Sequence, residues 1–325
     1  MKPNKNHTKT NTLKFLDGQS QTCSIIYTME TLHNPVLLKE VIAALAPKPG
    51  EAYLDLTAGY AGHADAILAV TRSHKNSVLV DRDEYAIKYL EAKYHELSSK
   101  GEGPEIIHRD FYESVLQLIE CGMTFDMILA DFGVSSPQLD LEDRGFSFSK
   151  SGPLDMRMDR RQELTAADVV NKWSYKDLTK IFEEYGEMSP GFSRKVARAI
   201  CSKRPFSDTA QLAEVIAKCS SKHSRVHPAT LAFQAIRIVV NDELGLISRT
   251  LPLLPRLLKP RGRVAIITFH SLEDRLVKRY FKSVSTLGEE SELELITKKP
   301  ITVGELEVVN NPRARSAKLR VARKR

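Results

Sequence analysis

The sequence lacks the features of membrane-spanning proteins and of proteins stabilised by zinc or disulfide bonds. No apolar run approaches the roughly 18 residues that a membrane-spanning helix needs. The four cysteines form no CxxC pair, and no Cys/His cluster has the spacing of a zinc site. We therefore expect reduced thiols, no bound metal, no membrane contact and a cytoplasmic location.

The N-terminal segment, residues 1–29, lacks the long apolar stretch of a secretory signal. It is rich in Lys, Thr and Asn and contains no arginine, which a mitochondrial transit peptide would favour. We predict that residues 1–29 form a disordered extension. A start codon assigned too far upstream would explain the same composition.

The net positive charge lies at the C-terminal end. The chain has 48 Lys and Arg residues and 41 Asp and Glu residues. The excess of seven equals the number of cations in the last thirteen residues. These cations are Arg313, Arg315, Lys318, Arg320, Arg323, Lys324 and Arg325. We predict a basic tail that binds a phosphate backbone, although a solvated tail that improves solubility has the same composition.

Short apolar runs alternate with helical patterns along most of the chain. The runs that resemble strands are 52–56, 77–80, 105–107, 127–130 and 263–269. This alternation predicts an α/β protein with a Rossmann-like, parallel-type sheet. The gap between the last two runs far exceeds a crossover helix, so a second unit must be inserted there.

The inserted unit is predicted to be helical. Apolar residues recur with helical spacing over 166–173, 175–184, 193–203, 209–218 and 228–239. We assign 30–140 to the first part of the sheet domain, 141–227 to a loop plus the helical insert, and 228–325 to its second part with the basic tail. Residues 283–307 are loosely patterned and are expected to be irregular.

The first three strand ends carry residues suited to binding a nucleoside. A small-residue turn, 57–62, follows the first strand and would let a ligand approach a helix N-terminus. Asp81 ends the second strand, where an acid commonly accepts hydrogen bonds from a ribose, and Asp110 and Phe111 follow the third. Asp81 could instead cap the next helix, and Phe111 could be a core residue. Because GxGxxG is absent, S-adenosylmethionine is favoured over NAD.

Asp131 ends the fourth strand, at the edge where open α/β sheets bind substrates. An exocyclic amine on a base is a poor nucleophile because its lone pair is delocalised into the ring. A carboxylate that accepts its N–H groups localises this pair and can take the departing proton. Asp131 suits that role, but it could also bind the cofactor or cap the loop.

Long segments of the chain also resemble a known family. They include LDLTAGYAGHADAIL, DFGVSSPQLDLEDRGFSFSKSGPLDMRMD, HPATLAFQAIRIVVNDEL and ITFHSLEDRLVK. With shorter segments they run in order from His33 to Ala322, and they resemble the bacterial rRNA small subunit methyltransferase H family, formerly called MraW. The resemblance implies a Rossmann-like methyltransferase domain interrupted by a helical insert that helps to recognise RNA.

The resemblance implies that S-adenosylmethionine is used to methylate N4 of one cytidine in 16S rRNA, near the decoding centre of the small ribosomal subunit. It assigns cofactor binding to Ala61, Gly62, His63, Asp81, Phe111, Asp131 and Gln138, with Asp131 also as the candidate catalytic residue. The chain departs from the family at Ala61, where the pattern has Gly. An alanine there is harmless if its φ is negative and unfavourable if its φ is positive.

Several cations are candidates for binding the RNA. They are Arg157 in the loop, Arg194, Lys195 and Arg198 on one insert helix, and Arg313 and Arg315 in the tail. Arg157 could instead pair with a neighbouring aspartate, and the helix cations could form a solvated face. The loop side chains Phe146, Phe148, Leu154 and Met156 are expected to fix the polar loop to the body.

Other functions also agree with parts of the sequence. A non-catalytic RNA-binding or ribosome-assembly factor could keep this fold, and Tyr60 and Ala61 leave that alternative open. An NAD-dependent oxidoreductase would need the GxGxxG motif that is absent. His270, after the fifth strand, could touch substrate or serve as a structural histidine. The sequence does not fix the oligomeric state, a homodimer included.

Overall fold

The computed structural model describes residues 35–220, 227–286 and 291–325. The predicted extension, residues 1–29, lies outside the described residues. Across the described part of the chain, no helix combines the length and apolar character needed to cross a membrane.

Five parallel strands form the sheet that the sequence predicts, in the order β3-β2-β1-β4-β5. They are β1 (Tyr53–Asp55), β2 (Val78–Asp81), β3 (Glu105–His108), β4 (Phe125–Asp131) and β5 (Leu258–Thr268). The strand order reverses between β1 and β4, which opens a crevice at their carboxyl ends. The predicted Rossmann-like α/β fold is confirmed.

Helices cover both faces of this sheet. Those of the first half are α1 (Leu38–Leu45), α2 (Gly62–Thr71), α3 (Glu84–Ser99), α4 (Phe111–Glu120) and the short α5 (Ser136–Asp140). Alternate strand residues enter two separate cores: Leu54 and Ile128 lie in one, Tyr53 and Leu129 in the other. Burying each large apolar side chain contributes about 1.5–3 kcal/mol, so the central strands are fixed from both sides.

The helical unit has its own core. It contains α6 (Ala166–Lys172), α7 (Tyr175–Glu184), α8 (Pro190–Lys203), α9 (Thr209–Ala217) and α10 (Ala229–Val240). The sequence boundary at residue 228 assigned α10 to the sheet domain, whereas its apolar side chains lie in the helical core. Helical periodicity shows that a helix has an apolar face but not which core that face enters.

The loop before the helical unit is anchored as expected. Phe146, Leu154 and Met156 are buried in the helical core, and Phe148 packs against it. The ring of Phe148 contacts that of Phe233 at a centroid distance of 4.9 Å. The apolar side chains of the loop therefore hold this otherwise polar segment beside the crevice.

The chain returns to the sheet through α11 (Glu243–Thr250) and α12 (Leu254–Leu257), and α13 (Ser271–Ser285) follows β5. The region expected to be irregular contains β6 (Leu293–Leu295) and β7 (Ile301–Thr302), and α14 (Glu305–Asn310) overlaps its end. Both strands pair antiparallel with β8 (Lys318–Lys324), which itself pairs antiparallel with β5.

Part of the basic tail is therefore a strand of the sheet, and its binding to a phosphate backbone stays a prediction. In β8, Leu319 and Val321 are fully buried, and the cations between and beside them are paired. Arg320 and Lys318 contact Asp274 at 2.7 and 3.2 Å, respectively. The alternating apolar residues of this segment indicate a strand, but the prediction of a tail rested only on its cations.

Candidate active site

A cavity of about 380 Å³ lies at the carboxyl ends of the parallel strands. Its size is within the usual range for small-molecule sites. The strand ends contribute Thr57 and Gly59 after β1, Asp81 of β2, Phe111 after β3, Asp131 of β4, and Phe269 and His270 after β5. Four strand ends that the sequence predicted to share one ligand therefore line one cavity.

Asp81 lines the cavity and is held by the backbone around it. Its Oδ2 accepts the N–H of Gly59 and its Oδ1 accepts the N–H of Asp83, each at 2.8 Å. Burial raises the pKa of Asp81 to about 6. Asp83, not Asp81, caps α3 by accepting the N–H of Tyr85. Each carboxylate oxygen of Asp81 keeps a second lone pair, which suits it to bind hydroxyl groups.

Ala61 has a left-handed backbone, with φ +63°, which is the strained alternative that the sequence left open. Its N–H donates to the carbonyl of Ala58 at 2.9 Å, and the residue is fully buried without lining the cavity. The structure therefore gives no support to Ala61 as a direct cofactor contact. Gly62 and His63 do line the cavity, at the start of α2.

Phe111 lines the cavity and packs against Phe132, with ring centroids 5.2 Å apart. Asp110, expected beside it, caps α4 by accepting the N–H groups of Tyr112 and Glu113, and it is not part of the cavity wall. Of the two residues predicted at this strand end, Phe111 alone lines the cavity.

Gln138 lines the cavity, but its amide bonds to the protein. Its Oε1 accepts the N–H of Ser135 at 3.0 Å, and its Nε2 donates to Asp83 at 2.7 Å. Arg144 is 2% exposed and pairs with Asp83 at 2.8 Å. Sequence reasoning missed this buried Asp83–Arg144 pair, which joins β2 to the loop across the crevice. Gln138 therefore stabilises the wall as well as facing the cavity.

Asp131 lines the cavity with a carboxylate that the protein leaves partly unbonded. Its Oδ1 is buried without a hydrogen-bond partner, and its Oδ2 lies 3.8 Å from Nδ1 of His63. Burial, followed by the negative charges of Asp55 and Glu273, raises the pKa of Asp131 well above the ordinary value. Nε2 of His63 is fixed 2.9 Å from the carbonyl of Val36.

A second polar group lies on the same cavity wall, after β5. His270 caps α13, and Glu273 Oε2 accepts the N–H groups of Phe269 and His270 in return. Burial alone would raise the pKa of Glu273, but His270 and Arg237 hold it below its ordinary value. His270 is thus a structural histidine that also faces the cavity.

In the described part of the chain, one trio has metal-like spacing. Ligand atoms of Glu243, His270 and Glu273 all lie within 4.8 Å of one another. Arg237, however, donates to both oxygens of Glu243, at 2.8 and 2.9 Å. Because this guanidinium already neutralises Glu243, the trio favours a hydrogen-bonding role over a metal site.

The residues present fit S-adenosylmethionine. Gly62 and His63 stand at a helix start, Asp81 offers carboxylate lone pairs for hydroxyls, and Phe111 offers a ring face for a base. Asp131 adds an unpartnered carboxylate oxygen at the next strand end. These groups line one cavity, at the ends of four neighbouring strands of the sheet.

Of the basic residues expected to bind RNA, some are exposed and others pair with an aspartate. Arg194, Lys195 and Arg198 are exposed on α8, and Arg315 is exposed near the C-terminus. Arg313 also lines the cavity, but it pairs with Asp140 at 2.6 Å.

Arg157, also expected to bind RNA, is bonded within the protein. Its Nε and Nη2 donate to Asp155, and its Nη1 donates to the carbonyls of Arg160 and Gln162. The structure thus shows the alternative pairing with a neighbouring aspartate, and RNA binding by Arg157 stays a prediction. An aspartate two residues before an arginine within a turn was the signal for this pairing.

Comparison with known proteins identifies the family. The model of the MraW methylase family matches residues 30–325. Curated relatives named ribosomal RNA small subunit methyltransferase H include those of Synechocystis sp. (46% identical, over 90% of this chain and 93% of the relative), Trichormus variabilis (46%, 90% and 92%) and Acidobacterium capsulatum (45%, 90% and 98%).

These matches confirm the resemblance drawn from the motifs. They also confirm an enzyme that transfers methyl groups with S-adenosylmethionine as cofactor. The chain belongs to the MraW methylase family.

Proposed function

We propose that the protein methylates N4 of a specific cytidine in 16S rRNA, near the decoding centre of the small ribosomal subunit. The relatives' name, ribosomal RNA small subunit methyltransferase H, supports the RNA class. The observation that carries the choice of an amine is the buried, unpartnered Oδ1 of Asp131 in the cavity wall.

Asp131 would act on the amine in two ways. Its carboxylate accepts an N–H of the cytosine amine, which draws the N4 lone pair out of conjugation with the ring. As N4 bonds to the methyl carbon, Asp131 takes the proton that N4 must lose. Nδ1 of His63 lies 3.8 Å from Oδ2 of Asp131, beyond hydrogen-bond distance. S-adenosylmethionine would supply the methyl group from its sulfonium, and S-adenosylhomocysteine would be the leaving product.

The cofactor contacts are proposed from the cavity wall. Asp81 would accept hydrogen bonds from the ribose hydroxyls, and Phe111 would pack on the adenine. Gly62 and His63 would receive the amino-acid end at the start of α2. Gln138, through its bonds to Asp83 and Ser135, would keep this wall in place.

The RNA would be held outside the cavity. Arg194, Lys195 and Arg198 present an exposed basic face on α8, and Arg315 adds a cation at the C-terminal end. Arg313 lies at the cavity wall and pairs with Asp140. It would have to break this ion pair in order to bind a phosphate. We propose that the helical unit recognises RNA, mostly by its shape and backbone. The target cytidine must leave its stack to reach Asp131, which favours an unpaired site. Such an enzyme would work in the cytoplasm, as a monomer or homodimer.

Nucleoside analysis tests this proposal. Purified protein is incubated with labelled S-adenosylmethionine and with small ribosomal subunits that lack the modification. We expect the label in N4-methylcytidine at one position. Label on adenine, on another atom of cytosine or on protein would refute the proposal. Cofactor binding without transfer to any ribosomal substrate would favour a non-catalytic assembly factor.

A further inference from the structure

Three residues of the cavity wall have a buried polar atom without a hydrogen-bond partner. The described residues contain eight buried side-chain nitrogen or oxygen atoms without a hydrogen-bond partner. Three of them line this cavity: Oδ1 of Asp131, Nε2 of His270 and Oε1 of Glu273. Because a buried polar atom without a partner costs about 1–3 kcal/mol, such a group of atoms indicates a polar ligand.

The hydrogen-bonding role of His270 follows from its capping bond. Its Nδ1 accepts the N–H of Glu273 at 3.5 Å, so the proton of the neutral ring lies on Nε2. Nε2 lies 3.1 Å from Oε1 of Glu273, but neither atom has a partner with hydrogen-bond geometry. Together they present a donor beside an acceptor to whatever occupies the cavity.

Cytosine has the complementary pattern on its Watson–Crick edge. Its N3 accepts a hydrogen bond, and the neighbouring N4 carries two hydrogens. Uracil reverses both positions, with N–H at N3 and an oxygen at position 4. With uracil, the donor of His270 would therefore face the N3–H donor, and the acceptor of Glu273 would face the oxygen at position 4.

We propose that His270 and Glu273 bind the target base and select cytosine over uracil, an inference that rests on the proposed function. His270 Nε2–H donates to N3, and Glu273 Oε1 accepts one hydrogen of N4. The other N4 hydrogen faces Oδ1 of Asp131. Both hydrogens of the amine are thus bound by carboxylates, and the base is turned with its amine toward the methyl donor.

Two substitutions at His270 separate its capping bond from this contact. His270→Asn keeps an acceptor near the position of Nδ1, and asparagine is a good helix N-cap, but the donor at Nε2 is lost. His270→Gln keeps an amide N–H at about the reach of Nε2 and gives up the capping geometry. Glu273→Gln tests the acceptor separately, because it places an amide where the carboxylate stood.

The test measures kcat/KM for small subunits, the affinity for S-adenosylmethionine and Tm for each variant. A competing target RNA that carries uridine in place of the cytidine measures base selection. For His270→Asn we expect a loss of about tenfold or more in kcat/KM, a reduced preference for cytidine, and unchanged cofactor affinity and Tm. His270→Gln should keep more activity than His270→Asn despite a lower Tm, and Glu273→Gln should lose the cytidine preference.

Other outcomes would overturn the inference. If His270→Asn kept the activity and base preference of the wild type, His270 would serve only as a cap. If chelation abolished wild-type activity and Mn²⁺ or Zn²⁺ restored it, the trio of Glu243, His270 and Glu273 would be a cation site. In both cases wild-type methylation of cytidine leaves the proposed function intact. A wild type that methylates no cytidine would refute both proposals.

Discussion

The two halves of the cavity differ in how their polar groups are satisfied. In the nucleoside half, formed by Gly59, Asp81 and Phe111, both carboxylate oxygens already accept backbone N–H groups. In the amine half, formed by Asp131, His270 and Glu273, each side chain has one buried atom without a partner. The fold thus builds the nucleoside half by itself and leaves unsatisfied atoms where the substrate must bind and react.

The largest expected effect comes from Asp131→Asn, which breaks the amine half alone. Removing the group that accepts the proton should lower kcat by about 100- to 10,000-fold. Affinity for S-adenosylmethionine should stay close to that of the wild type. Single-turnover methylation and calorimetry measure the two quantities on the same preparation. Loss of cofactor affinity would instead make Asp131 a cofactor contact.

The pH profile sharpens this result. Asp131 must be ionised to accept the proton, and its pKa is raised by burial and by Asp55 and Glu273. The wild-type rate should therefore increase with pH at values above the ordinary range of an aspartate. Asp131→Asn should lack this limb of the profile. A wild-type rate that falls as pH rises would contradict the role of Asp131 as the acceptor.

Asp81→Ala is the complementary change, in the nucleoside half. It removes the proposed ribose acceptor, so the Kd for S-adenosylmethionine should rise by about 10- to 100-fold, as for a hydrogen bond to a charged group. At saturating cofactor, kcat should change much less than in Asp131→Asn. Asp81→Asn, which keeps one acceptor oxygen, is the matched control and should fall between alanine and wild type. An unchanged Kd would remove Asp81 from the cofactor site.

A smaller effect is expected outside the cavity, on the exposed face of α8. Replacing Arg194, Lys195 and Arg198 with Gln should weaken RNA binding severalfold. It should also reduce the slope of log K against log salt by about 2. Cofactor affinity should not change. Binding measured at several salt concentrations tests this separation of RNA docking from cavity chemistry.

Three exposed lysines of the sheet domain provide the control for this variant. Replacing Lys75, Lys88 and Lys100 with Gln makes the same charge change on a different part of the surface. If both triple variants lost RNA affinity equally, the effect would reflect net charge and not a binding face on α8.

The smallest effect concerns the turn beside the nucleoside half. Ala61 has φ +63°, which glycine adopts at lower cost, so Ala61→Gly should stabilise the fold by about 1 kcal/mol. Cofactor affinity should change little, because the N–H of Ala61 already bonds to Ala58. Ala64→Gly, inside α2, should destabilise by about 1 kcal/mol instead. Chemical denaturation measures both, and a less stable Ala61→Gly variant would contradict the assigned strain.

The sequence predicted the parallel part of the fold because each strand there is a short apolar run that ends in a chemically distinctive residue. Asp81, Phe111 and Asp131 could be expected to meet because parallel strands align their carboxyl ends at one edge. β8 was missed because its pairing with β5 depends on the tertiary structure, while its cations suggested a solvated tail. Position 228 was a poor boundary because α10 packs with the helical core.

The two halves of the site also differed in how far they could be predicted. Asp81 and Asp131 could be predicted because each is an acidic residue that directly ends an apolar strand. The buried pair of Asp83 and Arg144 joins distant segments, and no local pattern indicates it. His270 was noticed but read as structural, and its second role depends on atoms that only the folded geometry leaves without partners. Glu273 was not singled out, because no local pattern indicates that a glutamate three positions after His270 faces a cavity.

The most direct test of the account is a crystal structure with a non-reactive analogue of S-adenosylmethionine and a short RNA that carries the target cytidine. The account predicts that Asp81 contacts the ribose hydroxyls of the cofactor. It also predicts that the cytosine amine lies within about 2.6–3.2 Å of Oδ1 of Asp131 and of Oε1 of Glu273. A base bound elsewhere, with Asp131 bonded only to the cofactor, would contradict it.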